Sequence, residues 1–275
     1  MPTHTPHSLT LANDTPIPIL GLGVWKAEDG NEVKNAVTWA LEAGYRSIDT
    51  AAIYGNEEGV GAALNASAVK RSDVFLTTKI WNEDLRNDNV EQAFEASLKR
   101  LNQDYVDLLL IHWPVSGQYK NAWKHFERFY EQGRAKAIGV SNFMPEHLED
   151  LLDSASIKPM LNQIEFHPYL QQKPTVDLCR KAGILVEAWS PLMQGSMDDP
   201  VLSSLAKKHG KSNAQIILRW DIQKEVITIP KSTNQGRIQE NFNVFDFELS
   251  AEDVAQIDGL ERNHRFGPDP YTFSF

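Results

Sequence analysis

Asp49, Tyr54, Lys79 and His112 are the side chains in this sequence whose types and positions most directly suggest chemistry. Residues 47–61, SIDTAAIYGNEEGVG, end an apolar run on a carboxylate and present a lone phenol five residues later, ahead of a segment opening with asparagine and glutamates. Lys79 falls at the end of the run VFLTTKI, and His112 closes VDLLLIH before a Trp-Pro pair. Brought into one cavity, an acid, a cation, a phenol and an imidazole could move a proton and stabilise developing charge. Taken singly, each has an ordinary explanation. Asp49 suits a strand end, Lys79 a solvated surface, His112 a satisfied core site and Tyr54 simple packing. Their meaning depends on whether the fold makes them converge.

The elements that would position them are eight apolar runs separated by segments of helical periodicity. The runs are LGLGV (20–24), YRSIDT (45–50), VFLTTKI (74–80), VDLLLIH (106–112), AKAIGVSN (135–142), MLNQIEF (160–166), ILVEAWS (184–190) and EVITIP (225–230). Between the first two, Val33, Ala36, Val37, Ala40 and Leu41 lie on one helical stripe, with Gly44 placed to end it. In NDNVEQAFEASLKRL, the stripe is Val90, Ala93, Phe94, Ser97, Leu98 and Leu101, with Asn87 or Asp88 as the expected cap. Strand followed by helix eight times in one chain predicts an α/β fold, a (β/α)8 TIM barrel. No linker or low-complexity stretch divides residues 1–275, so one barrel domain is expected. A doubly wound sheet holding a dinucleotide would carry a G-x-G-x-x-G turn after its first strand. GLGVWK breaks off after its second glycine, and GVGAAL lies within a helical pattern. Upstream, SLTLANDTPIPIL reads as an N-terminal β-hairpin at the barrel bottom.

Composition sets bounds on partners. The 37 acidic residues against 27 lysines and arginines give a net charge of -10, which opposes nucleic acid and anionic membrane surfaces. The N-terminal residues MPTHTPHSLT have no leader pattern, and the most apolar run is too short to span a bilayer, so a cytoplasmic location is expected. The single cysteine, Cys179, excludes an internal disulfide framework and a thiolate metal cluster. No metal is expected.

Barrel enzymes gather their chemistry at the C-terminal ends of the strands. In that register Asp49, Lys79, His112, Ser141 with Asn142, Gln163, Trp189 with Ser190, and Lys231 share one mouth. Here the sequence resembles the aldo-keto reductase superfamily over nearly its whole length. The resemblance is carried by GLGVWK, SIDTAAIYGNE, TTKIW, LLLIHWP, IGVSNF, NQIEFHP and IPKSTNQGRIQEN. It is nearest to compact bacterial reductases of 2,5-diketo-D-gluconate and methylglyoxal.

The resemblance implies NADPH-dependent reduction of small ketoaldehydes, diketo sugar acids and aromatic aldehydes by a monomer. It assigns the catalytic positions to Asp49, Tyr54, Lys79 and His112, with Tyr54 as general acid. A phenol with a pKa of ~10 needs help at neutral pH; Lys79 would lower it, and Asp49 would keep Lys79 charged and oriented. Ser141, Asn142 and Gln163 would meet the nicotinamide carboxamide, Trp189 would stack on the ring, and Ser190 and Leu192 would help hold the pyrophosphate. Lys231, Ser232 and Arg237 would grip the 2'-phosphate, at a helix beginning near Asn234 or Gln235, with Glu240 and Asn241 addressing the adenine. Trp25, Trp81 and Trp113 would wall the substrate. Short connections after His112 and Ser190 leave little chain to cover the mouth, an expectation of broad selectivity. The same residues leave two other functions open: a Schiff-base lyase using Lys79, and a non-catalytic cofactor-binding sensor on the same fold.

Overall fold

Runs rich in leucine, isoleucine and valine form the staves of a parallel barrel because both their faces are covered, by helices outside and by packed side chains within. The computed structural model describes residues 7–275. Residues 1–6, part of the stretch read above for a leader, lie outside the described residues.

A hairpin comes first, β1 (Ser8–Thr10) and β2 (Pro16–Pro18), paired antiparallel with Leu9 opposite Ile17. Asn13 in its turn donates to the Lys136 carbonyl at 2.9 Å, next to the start of a barrel strand. Ile17 is fully buried, so the hairpin plugs the barrel bottom as expected. The staves are β3 (Leu22–Gly23), β4 (Ser47–Asp49), β5 (Phe75–Ile80), β6 (Val106–Ile111), β7 (Ala135–Ser141), β8 (Leu161–Glu165), β9 (Leu185–Trp189) and β10 (Ile227–Thr228). They pair in sequence order, all parallel.

The first and last ladders are shorter than their apolar runs. The seam between β3 and β10 is carried by isolated parallel bridges, Leu20 to Thr228 and Gly23 to Lys231. Gly21 N donates to Thr228 O at 3.0 Å and Gly23 N to Pro230 O at 3.2 Å, which closes the ring. The closure requires glycine: a Cβ on Gly23 would lie 2.7 Å from the Ile229 carbonyl oxygen.

The two predicted helical stripes are buried as read, in helices Asn31–Ala43 and Val90–Leu101. Gly44 ends the first in a left-handed conformation with φ 112°, where a Cβ would be strained. The cap of the second is corrected. Asn89 precedes it, while Asn87 follows a separate short helix, Asn82–Arg86, and Asp88 turns the chain with φ 52°. GVGAAL lies inside helix Glu57–Ala66, so its glycines serve packing rather than a phosphate turn.

Candidate active site

The parallel register brings the strand-end residues to one mouth, and Lys79 is the hub beneath it. Its ammonium donates to Asp49 Oδ1 at 2.6 Å, to the Thr50 carbonyl at 3.0 Å and to the Tyr54 hydroxyl at 3.3 Å. An ammonium has three N–H bonds, so all are used and its direction is fixed. Tyr54 sits on a one-turn helix, Ala52–Tyr54, just after β4. Buried Asn56 ties that loop down, donating to the Val24 and Ala27 carbonyls and accepting from Thr50 Oγ1. Because the Tyr54 oxygen accepts from Lys79, its own proton remains free for the cavity.

Electrostatics set the protonation states. Burial by itself would lower the Lys79 pKa, but Asp49 and Tyr54 together outweigh it and the ammonium stays charged. The Tyr54 pKa is raised, because burial outweighs the opposing pull of Lys79. Lys79 pulls the phenol downward, as expected; the larger burial cost opposing it is what the sequence did not show. The lysine offsets part of a desolvation cost, and the phenol is held as a proton carrier. The His112 pKa is pushed well below its usual range, first by burial and then by Lys79, so the imidazole is neutral. Its Nδ1 is buried without a partner among the described residues, which favours the proton on Nε2 of a ring that lines the cavity.

All the catalytic, cofactor and substrate residues expected from the sequence line one cavity of about 1200 Å³, except Lys79, which is fully buried. That volume exceeds the ~300–1,000 Å³ of a typical single-ligand pocket. Above the floor, His112 packs edge-on against Trp81 at 5.1 Å and against Tyr54 at 5.8 Å. Trp113 is buried, whereas Trp25 stands 42% exposed at the rim.

The open mouth expected from short loops is corrected. Glu165, at the top of β8, accepts the backbone N–H groups of Phe266 and Gly267 and so captures the segment that follows. That segment crosses the mouth. Phe275 stacks on Trp81 at 5.7 Å and meets Trp113 edge-on, while its backbone oxygen accepts from Arg86 at 2.6 Å.

On the other side, Ser141, Asn142, Gln163 and Trp189 form one hydrogen-bonded set. Ser141 Oγ donates to the Gln163 carbonyl, Asn142 Nδ2 to the His112 carbonyl, and Trp189 Nε1 to Asn142 Oδ1. The Gln163 side-chain amide uses Nε2 on Asp49 Oδ2 at 2.8 Å and on Glu187 Oε2 at 2.6 Å. Its amide oxygen has no partner among the described residues and is left for the cavity. Ser190 adopts a left-handed φ of 50°, and with Leu192 it lines the passage outward.

At the far end Asn234 caps helix Gln235–Phe242, its Oδ1 accepting from Arg237 N at 3.0 Å. Lys231 and Arg237 are exposed there and, among the described residues, make no ion pair or side-chain hydrogen bond. Ser232 beside them is buried, Glu240 is exposed and Asn241 is buried. Two unpaired cations, a hydroxyl and a helix start fit a phosphate group. A continuous cavity joins them to Tyr54, as a dinucleotide would need.

The sequence matches the family described as Aldo/keto reductase family over residues 19–262. The chain belongs to the aldo/keto reductase family. It is 54% identical to the glyoxal reductase of Bacillus subtilis, with all of both chains covered. Identity to the methylglyoxal reductase DkgA of Yersinia pestis is 49%, over 94% of each. Among solved structures, the Bombyx mori aldo-keto reductase in complex with NADP superposes with TM-score 0.89, at 39% identity over 94% of each chain.

In this aldo/keto reductase, sequence reasoning missed Glu187 and the covering segment. A signal for Glu187 was present. In ILVEAWS it stands two residues before Trp189, and alternation along a strand puts both on the same inner face. Phe275 gave no comparable signal, since it follows no strand and belongs to no periodic segment.

Proposed function

We propose that this chain is an NADPH-dependent reductase of aldehydes and ketones, acting as a single-domain monomer in the cytoplasm. The observation that carries the reading is the Lys79 ammonium shared by Asp49 and Tyr54 beneath a cavity that runs on to Lys231 and Arg237. NADPH, when bound, supplies the hydride. Tyr54 gives its proton to the carbonyl oxygen as negative charge develops there, and the fixed Lys79 charge stabilises the phenolate left behind. Asp49 keeps Lys79 charged and aimed. Neutral His112 donates a hydrogen bond that orients the same oxygen. The free amide oxygen of Gln163 would accept from the nicotinamide carboxamide. Ser141 and Asn142 border that position, although their own polar atoms are already engaged with each other, with backbone and with Trp189. Trp189 supplies an aromatic face, and Ser190 and Leu192 flank the pyrophosphate.

The aromatic wall of Trp25, Trp81 and Trp113 suits small planar carbonyl compounds. The named activities of the glyoxal and methylglyoxal reductases support small ketoaldehydes as the first substrates to try. Aromatic aldehydes and diketo sugar acids complete the set. A spectrophotometric assay of NADPH oxidation across such a panel, ranked by kcat/KM, tests the reading. No turnover of any member would reject it. The lyase alternative requires a neutral amine as nucleophile, which the committed and charged Lys79 does not offer. Intact proton-transfer geometry argues against a sensor.

Cofactor preference rests on Lys231, Ser232 and Arg237, with Glu240 and Asn241 left for the adenine. A charge-assisted contact contributes ~1.5–3 kcal/mol, and the exposure of Arg237 favours the lower end. Arg237→Ala is expected to weaken NADPH by about tenfold and NADH far less. Fluorescence titration with both cofactors checks this, and equal losses would place the 2'-phosphate elsewhere.

A further inference from the structure

Glu187 sits inside the barrel, directly across the ladder from Gln163, and is only 1% exposed. Among the described residues no cation forms a salt bridge with it. Instead it accepts from Gln163 Nε2 at 2.6 Å, while the same nitrogen donates to Asp49 Oδ2 at 2.8 Å. The other oxygen of Asp49 holds Lys79, and Lys79 holds Tyr54. A buried chain of hydrogen bonds therefore runs from Glu187 through Gln163, Asp49 and Lys79 to the phenol.

We propose that Glu187 is a positioning residue for the reduction: with Asp49 it fixes the Gln163 amide, and its charge state tunes Tyr54 as an acid. The inference rests on the reductase reading above and deepens it. A glutamine in this place would fill nearly the same volume and still accept from Gln163. What a carboxyl adds is a proton that can leave.

The groups facing Glu187 decide when it leaves. β4 presents the Asp49 carboxylate, β5 the Lys79 ammonium and the loop after β4 the Tyr54 phenol, whereas β8 contributes uncharged Gln163 and β10 places Ile227 at the paired position. Burial and Asp49 push the Glu187 carboxyl up to about 8, against the pull of Gln163 and Lys79. Below that pH it is the neutral acid. As pH rises through that value it loses a proton to solvent and adds a negative charge to the cluster. That charge raises the pKa of both Tyr54 and Lys79. The phenol then becomes a weaker acid, so reduction slows on the alkaline side.

The test compares kcat for carbonyl reduction across about pH 6 to 10 in wild type, Glu187→Gln and Glu187→Asp. Wild type should decline through an inflection near pH 8, where the carboxyl ionises. Glu187→Gln should stay flat there and exceed wild type by about three- to tenfold at the alkaline end, the effect of a half- to one-unit rise in the Tyr54 pKa. Glu187→Asp should restore an inflection. In parallel, NMR of carboxyl-labelled glutamate in cofactor-free protein should show one carboxyl titrating near pH 8 in wild type and absent from Glu187→Gln. Superimposable pH profiles, or no glutamate titrating above about pH 7, would overturn the proposal even if Glu187→Gln failed to fold. If wild type reduced no carbonyl compound, both this proposal and the reductase reading would fall. Loss of the inflection alone leaves the reductase reading standing.

Discussion

Tyr54→Phe is expected to lower kcat for carbonyl reduction by ~10²–10⁴-fold, the usual contribution of a positioned general acid. The substitution removes only the hydroxyl that lies 3.3 Å from Lys79 Nζ. The ring keeps its edge-on contact with His112, and no other phenol hydroxyl hydrogen-bonds to Lys79 among the described residues. NADPH affinity should stay close to wild type, because the proposed phosphate-binding residues Lys231, Ser232 and Arg237 lie at the other end of the cavity. Stopped-flow turnover with a fluorescence titration separates the two quantities. Near wild-type kcat in a folded Tyr54→Phe protein would remove Tyr54 from the mechanism.

Lys79→Met should cost both activity and stability. Among the described residues Lys79 is the one cation bonded to buried Asp49, and removing one member of a buried pair typically costs about 3–5 kcal/mol. Two carboxyl groups, those of Asp49 and Glu187, would then share the Gln163 amide without an ammonium. Urea denaturation should show a clearly lower midpoint at unchanged slope. Adding Asp49→Asn should recover part of the stability, because no uncompensated carboxylate remains beside Gln163. Activity should stay at least ~10²-fold down in both variants, since nothing then fixes or charges the site beneath Tyr54. If Lys79→Met were as stable as wild type, the buried pair would not have the energetic weight that its geometry implies.

Much of the architecture was legible in one chain. Strand and helix follow from short-range patterns. The stripe of Val33, Ala36, Val37, Ala40 and Leu41 is buried as its spacing requires, and Gly44 stops that helix. The hairpin was announced by its Asn-Asp turn, and a helix start near Asn234 or Gln235 was read from the sequence, where the structure has Asn234 as the cap. Once eight parallel strands are granted, a strand-end position is also a position at the mouth. Asp49, His112, Ser141 and Gln163 could therefore be assembled without coordinates. The cap at Asn89 was misplaced by one or two residues because Asn87, Asp88 and Asn89 in a row offer near-equivalent side chains, and the φ of Asp88 chooses among them.

What the sequence by itself determined was the alternation of elements, the aldo-keto reductase motifs and the chemical types gathered at the strand ends. The tertiary structure decided their energies and their cover. Whether Lys79 or burial governs Tyr54 depends on how much water the closed site excludes, a sum over surrounding atoms that no motif encodes, and here burial wins. The sharing of one Gln163 amide by Asp49 and Glu187 joins strands 114 and 24 residues apart. The cover is likewise a long-range contact: Glu165 holds the backbone near Phe266, and Arg86 with Trp81 and Trp113 holds Phe275. Local propensity acts over a few residues. Desolvation and cross-barrel hydrogen bonds act between residues that only the closed fold makes neighbours.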